Sequence, residues 1–151
     1  MIKKGSFLII IFFLNFNCGF TPIYSGSADF QIAKLELKGD NAFNNFLNLS
    51  LKKYSNITKS TKYEITAFSD YEKKIISKNS SGTPTEYELI IIVTFEIENN
   101  DGLVAKKIFE EKINMESLDS KFEEKNFERL QKQNFAIIIS TKLISELSNI
   151  R

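Results

Sequence analysis

From Tyr87 to Ile97 the chain alternates without a break, with Tyr87, Leu89, Ile91, Val93, Phe95 and Ile97 falling on one side of an extended backbone. A period of two belongs to a strand, because a helix brings neighbours back only every 3.6 residues. Ile90 and Ile92 add apolar bulk to the reverse side, and a strand that is apolar on both faces in its middle belongs inside a sheet. Its flanks extend the sheet in both directions. Asn99-Asn100-Asp101-Gly102 is a hairpin signal, after which Leu103 to Met115 aligns Leu103, Ala105, Phe109, Ile113 and Met115. Upstream, Ser80-Ser81-Gly82 supplies a turn, and Lys62 to Asp70 sets Tyr63, Ile65 and Ala67 against Glu64, Thr66 and Phe68, with Ile75-Ile76 allowing the strand to run on. Three antiparallel strands in succession are predicted.

The remaining elements frame that sheet. Phe30 to Lys38 predicts a first strand with Ala33, Leu35 and Leu37 on one face, opposite Lys34, Glu36 and Lys38. Gly39-Asp40-Asn41 then punctuates the chain, and Phe43, Phe46, Leu47, Leu51 and Tyr54 predict a helix from Ala42 to Tyr54, capped by Asp40 or Asn41. The last third changes to a helical period from Glu123 to Ser148. Its predicted stripe is Phe127, Leu130, Asn134, Ile137, Ile138, Thr141, Ile144 and Ser145, widened by Leu143, Leu147 and Ile150. The β-branched run Ile137-Ile138-Ile139 could read as strand, but the surrounding charges keep helical spacing. The order βαβββα predicts an α+β two-layer sandwich, a four-stranded mixed sheet with two helices on one face, whose core holds the aromatic and isoleucine positions.

Several function classes lose their chemistry at the level of composition. The 151 residues contain no histidine and a single cysteine, which removes imidazole-activated nucleophiles, nearly all nitrogen-ligated zinc sites and redox pairs. The glycines at 5, 19, 26, 39, 82 and 102 build neither phosphate loop nor dinucleotide turn. Glu110-Glu111 and Glu123-Glu124 are adjacent residues, which diverge on a strand or a helix rather than converging on a substrate. No catalytic residue, metal site or cofactor is therefore expected, and the chain is expected not to be an enzyme. Without Lys3 and Lys4 the charge is 18 basic against 19 acidic residues, so bulk attraction to nucleic acid is not expected either.

The start of the chain addresses it. Lys3 and Lys4 precede an apolar run from Phe7 to Leu14, too short for the roughly 20 residues that a bilayer core requires, and this reads as a signal peptide over residues 1–17. Cys18 follows directly. A cysteine just after the cut can take a diacylglyceryl group, so Cys18 is the expected lipidation site, although Asn17 is larger than the small residue usual before such a cysteine. The other reading of Cys18 is a free or buried thiol. Residues 18–28 are expected to form a tether and 29–151 one domain, with no internal linker and no repeat.

The opening Cys18-Gly19-Phe20-Thr21-Pro22-Ile23-Tyr24 and the segment Gly82-Thr83-Pro84-Thr85-Glu86-Tyr87-Glu88-Leu89 at the start of the central strand resemble the LPS-assembly lipoprotein family LptE, in its alphaproteobacterial form. Asp101-Gly102 and the terminal helix from Phe122 fit the same pattern, while Glu86 and Ile113-Asn114-Met115 depart from it. The resemblance implies the βαβββα order and a role as plug and assembly partner of the outer-membrane barrel LptD, helping lipopolysaccharide into the outer membrane. It implies lipid anchoring on the periplasmic side of that membrane. Lysines suit anionic headgroups, and Lys73, Lys74 and Lys78, near the tip of the predicted hairpin, are the expected lipopolysaccharide contacts, or else a solvated loop. Phe20, Pro22 and Tyr24, outside any predicted element, are expected to tie the tether to the domain or the barrel wall. The competing expectation is a periplasmic lipid carrier with an apolar cavity, or another anchored adaptor.

Overall fold

Alternation becomes architecture in the computed structural model, which describes residues 29–150. The elements are β1 (Phe30–Gly39), α1 (Asn41–Ser55), β2 (Thr61–Lys78), β3 (Pro84–Asn99), β4 (Gly102–Glu116) and α2 (Lys121–Asn149). The sheet runs β1-β2-β3-β4; β1 is parallel to β2, and the other two pairs are antiparallel. A parallel neighbour cannot be reached by a tight turn, so the connection from β1 to β2 carries α1 across the sheet. The α+β class, the βαβββα order and the mixed four-stranded sheet are as the sequence predicts.

Both helices lie on the face formed by the odd-numbered positions of β3. Leu89, Ile91, Val93, Phe95 and Ile97 are fully buried there against Phe43, Leu47 and Leu51 of α1 and Ala136, Ile139 and Leu143 of α2. Each such side chain contributes about 1.5–3 kcal/mol through the water it excludes. Asp40 caps α1, accepting the Phe43 N–H at 2.8 Å on Oδ1, and Ser120 caps α2, accepting the Glu123 N–H at 3.4 Å on Oγ.

Three local features refine or depart from expectation. In β1 a bulge falls between Ile32 and Lys34, so Ile32 turns inward with Leu35 and Leu37 while Ala33 is extruded and exposed. β2 runs on past Ile75-Ile76 to Lys78, paired with β3 from Glu64 with register shifts around Ser77, and ends in a turn whose backbone is held by the Asn79 side chain: Oδ1 accepts the N–H groups of Ser81 at 3.1 Å and Thr83 at 2.9 Å. The third difference is the face of α2. Leu130, Asn134, Ile137, Ile138, Thr141 and Ser145 of the predicted stripe are exposed, and the buried side is instead Glu124, Lys132, Phe135, Ala136, Ile139, Ser140, Leu143, Ile144 and Leu147. The helix is apolar on two flanks, and the flank that carries a lysine and a glutamate is the one that packs.

Candidate functional site

The buried lysine and glutamate mark a polar seam between the first half of α2 and the long arm of the sheet. Lys132 Nζ lies 2.8 Å from Asp40 Oδ2 and 3.6 Å from the centre of the Tyr71 ring. One turn and more toward the helix start, Lys73 of β2 pairs with Glu124, reaches Glu128 at 3.5 Å, and sits 4.3 Å from the Tyr87 ring centre. Cations over aromatic faces and against carboxylates recover much of the hydration that burial removes.

Charge states follow from these contacts. Burial opposes ionisation of Asp40, but the Lys132 hydrogen bond and the Phe43 N–H hold its carboxyl below the usual range. The hydrogen bond from Lys73 holds Glu124 low in the same way, against the effect of burial. Burial pulls Lys73 down, and Glu124 and Glu128 together outweigh it, leaving its ammonium raised. Burial, with Glu128 and Asp40 nearby, pushes the Tyr71 phenol up, and its hydroxyl finds no hydrogen-bond partner among the described residues.

The start of α1 is welded to the same region. Gly39 adopts φ +104°, and a side chain there would run into the Ser69 backbone. Ser69 Oγ accepts the Asp40 N–H at 3.0 Å and donates to the Lys38 carbonyl oxygen at 3.1 Å or the Asn44 side-chain oxygen at 2.9 Å. Backbone and side-chain bonds thus fix Asp40 both as helix cap and as partner of Lys132.

The three lysines expected to share the hairpin tip are distributed over the strand instead. Lys73 is opposite Leu89 and points under α2, Lys74 is opposite Glu88 on the reverse face, and Lys78 is exposed at the strand end opposite Pro84. The correction has a simple cause: β2 stays a strand through Lys78, so consecutive lysines face opposite ways. Cys18, Phe20, Pro22 and Tyr24 lie outside the described residues.

The face of the sheet turned away from the helices carries a second apolar surface. Phe68, Ile92 and Ile108 are exposed on it, beside Ile90 and Thr94, with Lys38 Nζ 5.1 Å above the Phe68 ring and Lys106 paired to Glu96 at 3.0 Å. The reverse-side Ile90 and Ile92 announce this surface in the sequence. The seam has a fainter signal, a period of three and four running 124, 128, 132, 135, 139, 143 and 147, visible only when polar residues are admitted to the buried side.

No protein-family model matches the chain, and no curated protein matches it. Solved structures do. Rare lipoprotein B from Shewanella oneidensis aligns over 77% of this chain and 94% of its own, with 14% identity and a TM-score of 0.57. Lipoprotein B from Nitrosomonas europaea aligns over 82% and 87% at 15% identity and 0.56, and a minor lipoprotein from Acinetobacter baumannii over 75% and 93% at 15% identity and 0.52. At such identities the likeness is one of fold, and this chain shares the fold of these bacterial lipoproteins along nearly their whole length.

Proposed function

We propose that this chain is a non-catalytic outer-membrane lipoprotein, anchored through Cys18 on the periplasmic side, that serves as plug and assembly partner of an LptD-like barrel and assists lipopolysaccharide insertion. The observation that carries the reading is the conjunction of a fold shared with bacterial lipoproteins and a cysteine at the end of a leader-like segment, just past its apolar run. The resemblance of the Cys18–Tyr24 opening to the LptE family supplies the partner. The space between sheet and helices is filled by Phe43, Phe95, Leu47, Ile91, Ile139 and Leu143, which favours a binding module over a carrier that holds lipid between its layers. Lys74 and Lys78 are exposed and make no ion pair among the described residues, so they suit anionic headgroups better than Lys73, which is engaged under α2.

Affinity capture of the full chain from membranes, followed by mass analysis of partners and of the N-terminal peptide, tests this. A large barrel protein and an acylated Cys18 are expected, with Cys18→Ser releasing the chain from the membrane. Recovery without a barrel, and with an unmodified Cys18, overturns it.

A further inference from the structure

The two edges of the sheet are guarded unequally. β1 carries a bulge at Ala33, which twists that edge and discourages another strand from adding. β4 pairs with β3 in unbroken register from Ala105 to Glu116, and nothing among the described residues pairs with its outer side. Ile108, in the middle of that strand, is 64% exposed.

We infer that the outer edge of β4 receives β4 of a second copy of this chain, antiparallel, about a two-fold axis at Ile108. When two edges join so that like faces continue, opposite residues share a face, and each step of register moves the centre by one residue. Centred on Ile108, Lys106 lies against the partner's Glu110 and Glu110 against the partner's Lys106. Centred on Lys107, the pairing sets two lysines against each other at the axis. Centred on Phe109, it matches Lys107 with the partner's Glu111 but sets Lys106 against the partner's Lys112. Of these three neighbouring registers only the Ile108 one is free of like-charge contacts; it sets Glu110, which has no ion pair among the described residues, against Lys106, whose partner within its own sheet is Glu96 at 3.0 Å.

A separate observation points to the same edge. On the helix side, a groove lies open between β4 and α2, lined by Ile113, Phe135, Ile137 and Ile138 with Glu111 and Asn134. Ile137 is 50% exposed and Ile138 41%. An added strand lies about 4.8 Å beyond β4, beneath the flank of α2 that the sheet leaves uncovered, and the pairing sets the small Ala105 of the partner opposite Glu111 there. Backbone hydrogen bonds, matched charges and a covered isoleucine flank then belong to one interface.

The inference does not depend on the function proposed above, since the dimer is read in the isolated chain and the barrel by capture. Sedimentation equilibrium of the full chain in mild detergent is expected to show a monomer–dimer equilibrium. Glu110→Lys and Lys106→Glu each weaken the dimer by at least about tenfold, and the double reversal restores it to within about threefold, with unchanged far-ultraviolet circular dichroism in all variants. In a Cys18→Ser background, Ile108→Cys crosslinks to itself on oxidation, because directly opposed residues bring their Cα atoms to about 4.5–5.5 Å, inside the range a disulfide spans. A chain that stays monomeric across the concentration range, a double reversal that fails to restore pairing, or a β4 edge found occupied by a different protein whose binding Glu110→Lys abolishes overturns the inference.

Discussion

The two halves of α2 hold the same sheet by different physics. From Phe135 to Leu147 the helix is seated by apolar side chains that are almost wholly buried, whereas from Glu124 to Lys132 it is seated by carboxylates and ammonium groups from both layers. Apolar burial is indifferent to pH and has no preferred partner atom. Ion pairs under a helix have both preferences, and once one member is removed the other is left buried without compensation. One continuous helix therefore combines a permanent anchor with a conditional one.

The sharpest way to break the contrast is at the permanent end. Leu143→Ala, at a fully buried position, is expected to cost about 2–5 kcal/mol and to lower the urea midpoint of the whole domain. At the conditional end, Glu124→Gln is expected to cost less, about 1–3 kcal/mol. Its signature in hydrogen exchange is faster opening of residues 121–133 with residues 135–147 unchanged; uniform acceleration along the helix would dissolve the distinction.

Acid is the next lever. Asp40 and Glu124 have carboxyls held below their ordinary values of 3.8 and 4.5, so the folded state binds fewer protons than the unfolded one across that range. Their stabilisation is complete above those ordinary values and is lost as pH falls through the lower folded values. The first half of α2 is expected to loosen before the second when the protein is followed by hydrogen exchange below pH 4.5. Lys73 works in the opposite direction: its stabilisation is complete below 10.5 and is lost as pH rises through its higher folded value. The smallest expected effect sharpens the contrast from the other side. Lys107 pairs with Glu146 at 2.6 Å beside the apolar half, with more than a third of each side chain exposed, and Lys107→Ala is expected to change stability by less than about 1 kcal/mol in chemical denaturation.

Legibility in the sequence followed the same division. β3 could be read directly because period-two alternation needs no knowledge of any other element, and the Asn99–Gly102 turn and the Asp40 cap are equally local signals. The face of α2 could not be read so. Leu130, Ile137 and Ile138 look like a packing stripe until Lys132 is known to have Asp40 and Tyr71 as partners, and those lie far away in the chain. The bulge at Ala33 was hidden for a related reason, since a single extra residue leaves composition unchanged and reverses which side chains face inward. Lys73 and Lys74 read as one cluster because sequence proximity conceals the two faces of a strand.

One end of the domain gathers its connections. Phe30 pairs with Thr61, and the Tyr63 hydroxyl donates to the Ile150 carbonyl oxygen at 3.1 Å, so the start of β1, the start of β2 and the end of α2 meet at one pole. At about 3.3 Å per residue, the 18-residue β2 carries the Asn79–Thr83 turn about 55 Å away from it. Whatever precedes Asp29 joins the domain at that pole, so the turn stands a full β2 length from the point of attachment. By geometry alone, a rotation of about ten degrees about that pole would displace the turn by about 10 Å, so the angle at which the domain is attached decides where the turn is presented.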